Sequence, residues 1–277
     1  MKEVSAVIDW FIKNQRDLPW RKSTPWGVVV SEFMLQQTPV ERVLPIWNLW
    51  MKTWPTPGAL AKASKAEVIT AWGKLGYPRR ALRLHECAQI IDQKYDGNVP
   101  ESYAELIELP GVGDYTANAI RAFAFSLEAN VLDTNIRRVI SRWKSGIEYP
   151  SQSITRNERE LAATLIPKVN SHQWAAASME LGALICTSKN PLCVDCPLNS
   201  TCSWKNAGYP PSEVKKKTQS WHGTDRQCRG RIMDAVKVSP TSINDIAWSE
   251  QSQLERAIAS LVLDGLIIED EGIVRLP

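Results

Sequence analysis

Leu109-Pro110-Gly111-Val112-Gly113-Asp114-Tyr115-Thr116 interrupts two apolar stretches with helical character, Glu101–Glu108 and Asp114–Phe125. Two glycines this close stop a helix, so the chain is predicted to fold back as a tight helical hairpin. Gly111, Val112 and Gly113 would then turn backbone N–H groups outward where the second helix begins. Exposed amides at such a place suit a phosphate, with no demand on base sequence. A plain turn between packed helices is the alternative, and the hairpin by itself does not exclude it.

Outward from the hairpin the chain reads as short helices with capped starts. Thr38 with Glu41, Ser64 with Glu67, Ser102 with Glu105 and Thr155 with Glu158 have capping-box spacing, and Pro39 is expected at a first helical position. Alternating strand patterns are nearly absent before the last dozen residues, so the fold class is all-α. Prolines 210 and 211 and Lys215, Lys216 and Lys217 mark a linker. Beyond it, Asp225–Val236, Ser242–Trp248 and Ser252–Asp264 are predicted to be helices, with Gly265 as a stop. LIIE, a turn at Asp270–Gly272 and IVRL suggest a hairpin, which completes the element order of a winged helix.

The chain has 277 residues, 44% of them hydrophobic, and a net charge of +3. That charge permits a polyanionic partner without requiring one. Glu3, Asp9 and Lys13 interrupt the apolar spacing at the N-terminus, so neither a secretory signal nor a membrane span is expected, and the location expected is the cytoplasm. Reduced cysteines are expected there. Cys186, Cys193, Cys196 and Cys202 follow the spacing C-x6-C-x2-C-x5-C. Thiolates so close can converge on one centre. The single CxxC in the middle favours a [4Fe–4S] cluster over structural zinc, whose sites usually present two short pairs. Disulfides are the least suited reading. Cys87 and Cys228 stand alone and read as ordinary thiols.

The hairpin followed about 70 residues later by this cysteine run resembles the endonuclease III superfamily of base-excision DNA glycosylases. Within it, Asp17–Arg21 (DLPWR), Ser31–Thr38 (SEFMLQQT), Leu75–Tyr77 (LGY), LPGVGDYTA and Val131–Asn135 (VLDTN) resemble the adenine DNA glycosylase branch, over residues 5–204. The resemblance implies a helix–hairpin–helix glycosylase fold. A six-helix domain would span residues 26–125, and an iron–sulfur domain would be built from 1–25 and 126–208. A basic linker at 209–224 and a winged-helix-like module at 225–277 would follow. The implied activity is removal of adenine mispaired with 8-oxoguanine or guanine, by a monomer acting on double-stranded DNA with the base flipped out. A thymine-mismatch or oxidised-pyrimidine glycosylase, and a non-catalytic DNA-binding module, are the competing readings.

The resemblance also assigns residues. Glu32 is the expected acid that protonates adenine, and Asp133 the expected carboxylate that stabilises the oxocarbenium-like sugar. The bland alternatives are a first-turn acid for Glu32 and a helix cap for Asp133. Tyr115 stands where the bifunctional branch has a lysine; lacking an amine, it predicts a monofunctional enzyme with water as nucleophile. Tyr115 and Asn135 would position sugar and water or orient Asp133. Gln36 and Gln37 are expected to enter the duplex, Tyr77 to lie beside the lesion, and Trp20 and Arg21 to line the pocket unless they serve as a packed indole and a surface ion pair.

Three departures stand out. Pro78 follows Tyr77 where a second tyrosine is common. Trp174, Ala175 and Ala176 replace an aromatic–polar–polar run. About 70 residues replace a Nudix-like domain that reads 8-oxoguanine, which puts the preference for 8-oxoguanine in doubt.

Overall fold

The computed structural model describes residues 2–212 and 221–277; the predicted basic run Lys215–Lys217 lies outside them. In chain order the α-helices are α1 (Lys2–Asn14), α2 (Pro25–Leu35), α3 (Val40–Thr53), α4 (Pro57–Ala61), α5 (Lys65–Ala71), α6 (Arg79–Lys94) and α7 (Tyr103–Ile107). After the hairpin come α8 (Asp114–Phe125), α9 (Thr134–Ile140), α10 (Arg156–Thr164), α11 (Ser171–Leu184), α12 (Ser203–Asn206), α13 (Asp225–Val236) and α14 (Gln251–Leu263). Three short strands, β1 (Thr241–Ser242), β2 (Ile268–Asp270) and β3 (Ile273–Arg275), form one antiparallel sheet in the order β1-β3-β2. Among the described residues no helix is long and apolar enough to cross a membrane.

The chain forms two compact units. One holds residues 1–28, 101–108 and 112–216. Its core joins Val4, Val7 and Phe11 of α1 to Ala119 and Ala122 of α8, Ile136 and Val139 of α9, and Trp174 and Leu181 of α11. Helix α9 runs on into a π-turn, Ser141–Ser145, which turns Arg142 and Trp143 inward. Trp174, at the second departure from the family pattern, is buried against Trp143 with ring centroids 6.3 Å apart.

The other unit holds residues 29–100, 109–111 and 217–277. Trp50 and Trp72 meet edge to face at 5.5 Å. The C-terminal helices pack here too: Cys228, Ile232, Leu254, Leu261 and Val274 share a core with Ile69 of α5 and Leu82 of α6. Each fully buried aliphatic side chain there stabilises the unit by roughly 1.5–3 kcal/mol. Lys237 Nζ adds a hydrogen bond to Gly73 O at 2.6 Å, and Arg79 pairs with Asp264 at 3.2 Å.

The predicted helix Ser242–Trp248 is corrected. Its start is β1, paired with β3, followed by a single 3-10 turn, Ile243–Asp245, capped by Ser242. A segment this short gains more from completing a sheet edge than from an isolated helical turn. The caps divide as well. Ser64 and Glu67 form the full box. Thr155 accepts from Glu158 N, but the Glu158 side chain turns to Arg137 instead. Ser102 makes no side-chain cap. Pro39, not Thr38, is the N-cap of α3, because the Thr38 hydroxyl is engaged by Gln36 O and Arg80.

Candidate functional site

Gly111 has φ +82°, and a Cβ there would lie 2.7 Å from the Phe33 ring and 3.0 Å from Arg83 Cβ. Conformation and space both require glycine at that position. Gly113 differs: its backbone is extended (φ −102°, ψ −179°), it is the N-cap of α8, and nothing lies within 4 Å of where a Cβ would stand. Val112 between them is buried. Tyr103 Oη donates to Asp114 Oδ1 at 2.9 Å and links α7 to α8.

Asp133 is the N-cap of α9. Its Oδ1 accepts from Ile136 N at 2.6 Å and its Oδ2 from Asn135 Nδ2 at 2.8 Å. Burial pushes the carboxyl above its usual value, and these hydrogen bonds and the nearby Arg138 charge oppose that shift. Asn135 Oδ1 accepts in turn from Arg138 Nη2 at 2.8 Å. Arg138 also donates to Gly182 O at 2.6 Å and to Cys186 O at 2.7 Å. A chain of hydrogen bonds therefore joins Asp133 to the backbone of the first clustered cysteine. The cap reading of Asp133 is correct as local geometry, and it leaves the outer side of the carboxylate without a paired cation among the described residues. Tyr115, in the first turn of α8, is half-buried against the same core.

Cys186, Cys193, Cys196 and Cys202 line one recess with Arg142, Trp204 and Lys205. Arg142 Nη1 lies 3.5 Å from Cys186 Sγ and donates to Thr187 O at 2.8 Å. Its guanidinium stacks over Trp204 at 4.5 Å, and its buried Nη2 has no hydrogen-bond partner among the described residues. Among the described residues, no three His, Cys, Asp or Glu side chains form a group that could hold a single metal ion.

Arg21 makes an ion pair with a buried carboxylate and not a surface one: its Nη2 lies 3.0 Å from Glu180 Oε2, beside Arg16 Nη2 at 2.7 Å from the same oxygen. Trp20 is buried.

In the second unit Glu32 is 5% exposed in the third turn of α2, flanked by buried Val28, Val29, Phe33 and Met34. A first-turn acid is therefore not what it is. Gln36 and Gln37 follow the end of α2, with Gln37 left-handed at φ 54° and exposed. Arg80 gathers that turn: Nη1 donates to Phe33 O at 3.1 Å, Met34 O at 3.3 Å and Gln36 O, and Nη2 donates to Thr38 Oγ1 at 3.0 Å. Gly76 and Tyr77 are consecutive left-handed residues (φ 81° and 49°) ahead of Pro78, and they leave the Tyr77 ring 44% exposed. Arg80 holds the Gln36 turn and Arg138 holds Asn135, contacts that the motifs did not reveal. The available signal for Arg138 was its i, i+3 spacing from Asn135 on one helix face.

Comparison with known proteins places these elements. The profile described as HhH-GPD superfamily base excision DNA repair protein matches residues 30–164. The adenine DNA glycosylase of Mycolicibacterium smegmatis is 47% identical over 268 residues, covering 94% of this chain and 91% of that protein. The adenine DNA glycosylase of Mycobacterium tuberculosis is 45% identical over 270 residues, covering 94% and 88%. Among solved structures, a thermostable thymine-DNA glycosylase superposes with a TM-score of 0.67 at 29% identity, over 74% of this chain and 95% of that one.

Proposed function

The chain belongs to the adenine DNA glycosylases of the HhH-GPD superfamily, and from that premise we propose how its residues carry out base excision. The protein hydrolyses the N-glycosidic bond of adenine in DNA. We further propose that the adenine is mispaired with guanine or 8-oxoguanine in double-stranded DNA, that the enzyme acts as a monomer, and that it releases the base without cutting the strand.

One observation carries this proposal. Asp133 is a desolvated carboxylate held by N–H donors of Asn135 and Ile136, with no ion pair among the described residues. Its charge remains available to a sugar that becomes positive as adenine departs, and desolvation strengthens that attraction. Glu32 supplies the proton to adenine; burial among apolar neighbours suits a carboxyl acting as an acid. Asn135 holds Asp133 in register, and Tyr115, without an amine, leaves water as the final nucleophile. Gly111, Val112 and Gly113 present amides to a phosphate; the open space in front of Gly113 suits close approach of the DNA backbone. Gln36 and Gln37 enter the duplex from the turn that Arg80 fixes, with Tyr77 beside the mispair. Arg21 supports the pocket wall through Glu180.

The four cysteines fit a [4Fe–4S] cluster. They surround a recess without closing on a single ion, and the unpartnered Arg142 Nη2 offers charge to an anionic cluster. Burial pushes the Cys196 thiol up to about 12, so bound iron would be what keeps it a thiolate. When bound, the cluster supplies a structural brace between the C-terminal end of α11 and α12. Cys193→Ser should lower folded yield, and normal yield with normal iron content would count against the cluster. The six-helix domain 26–125, the iron–sulfur domain 1–25 with 126–208 and the winged-helix-like module 225–277 remain the proposed functional divisions.

The test is single-turnover excision on adenine opposite 8-oxoguanine, adenine opposite guanine and thymine opposite guanine, each with and without alkali. Adenine release with nicks that need alkali is expected. Thymine release, or unaided nicks, would overturn the assignment.

A further inference from the structure

The Tyr77 ring has a second cationic neighbour that the excision chemistry leaves unused. The guanidinium carbon of Arg80 lies 5.4 Å from the ring centroid and that of Arg226 lies 4.7 Å from it. Arg226 sits in the first turn of α13 and is also 5.2 Å from the ring of Trp221, which is 46% exposed. The two arginines differ. Arg80 gives its N–H groups to backbone carbonyls and Thr38. Arg226 is exposed and, among the described residues, has neither an ion pair nor a hydrogen bond; neighbouring Asp225 turns to Gln253 at 2.8 Å.

Exposed cation–π contacts are too weak to seat the C-terminal helices. The shared core with Ile69 and Leu82, together with the Lys237 and Arg79 contacts, already does that. Two exposed rings and an unpaired planar cation are what stacking on bases and bonding to phosphate or base edges require.

We propose that Arg226 and Trp221 extend the DNA-contact surface at Tyr77, so that the C-terminal module grips the duplex beside the mispair. This rests on the adenine-excision reading, which puts Tyr77 there. The Arg226 fork donates to acceptors on DNA: phosphate oxygens, or the O6/N7 edge of a guanine opposite the adenine.

The test uses full-length Arg226→Ala, Arg226→Lys and Trp221→Ala chains. Binding is measured by anisotropy on duplexes whose adenine carries a cleavage-resistant 2′-fluoro sugar, placed opposite guanine, 8-oxoguanine, cytosine or thymine. Arg226→Ala should weaken binding about tenfold and make the salt dependence shallower by about one ion. Arg226→Lys should recover the salt dependence but not the full affinity, and Trp221→Ala should weaken binding with the salt dependence unchanged. Equal loss on every duplex identifies phosphate as the acceptor, and loss largest on the guanine duplex identifies the O6/N7 edge, because N7 of 8-oxoguanine carries a hydrogen and cannot accept. Either supports the proposal. Affinities within about twofold of wild type on all four duplexes would overturn it, whether or not thermal melting shifts. Should the alanine variants fold poorly, Arg226→Lys and Trp221→Phe carry the same comparison. Failure of the wild-type chain to excise adenine would instead sink the underlying reading, and it shows without any variant.

Discussion

Two carboxylates of the same unit are held in opposite ways. Glu180, 1% exposed on α11, receives Arg16 through both its backbone N–H and its guanidinium, and Arg21 beside it. Burial would raise its pKa, but the two arginines outweigh burial and hold it at about 2. Among the described residues Asp133 meets amide donors, with Arg138 one residue removed behind Asn135, and burial leaves its pKa raised. A carboxylate neutralised by fixed cations is a fastener. One held by neutral donors keeps its field for whatever enters the site.

The sharpest way to break that comparison is Asp133→Asn. Excision should fall by about 10³-fold or more, on the order of 4 kcal/mol, while affinity for the mispaired duplex stays within severalfold. Survival of excision to within about tenfold would remove Asp133 from the chemistry. Glu180→Gln should act on the fold instead. It lowers the unfolding free energy by about 3 kcal/mol, measured by denaturant melts, and changes excision per folded molecule by less than about threefold.

The pH dependence separates the pair as well. Glu180 has a depressed folded pKa, so its stabilisation is complete above pH 4.5 and disappears as pH falls towards about 2. The Gln variant should lack that part of the acid slope. Asp133 has the opposite sign. Its folded pKa lies above 3.8, so its ionisation costs stability as pH rises through that raised pKa, and excision, which needs the ionised form, should fall as pH drops, on an acid limb that lies above pH 3.8.

Gly182→Ala is the finest probe. Gly182 shares α11 with Glu180, but a Cβ there would lie 2.7 Å from Asn135 Cβ and 2.9 Å from Asn135 O. The push should pass through Asn135 to Asp133. Excision should drop about 10- to 100-fold with DNA affinity little changed, a loss of roughly 1–3 kcal/mol. An unchanged rate would mean that Asn135 does not set the position of Asp133.

Much of this was legible in the chain itself. The hairpin glycines marked the start of α8 at Asp114, the cysteine spacing brought four thiols to one recess, and Gly265 stopped α14 as expected. Local chemistry governs such features: φ > 0, a short loop, a helix stop. The predicted helix at Ser242 failed because strand pairing with Ile273 is a contact across thirty residues, which no local pattern announces. Thr38 failed as a cap for a similar reason: Arg80, 42 residues away, claims its hydroxyl.

The sequence by itself determined which groups are available: two carboxylates, a tyrosine in place of a lysine, four clustered thiols and a glycine turn. Only the tertiary structure decided which charges stay free. Arg16 and Arg21 converge on Glu180 rather than Asp133, Arg80 is engaged by carbonyls, and Arg226, unpaired among the described residues, lies beside Tyr77. Pairing a charge depends on distance and on solvent access, and both are set by packing between segments far apart in the chain.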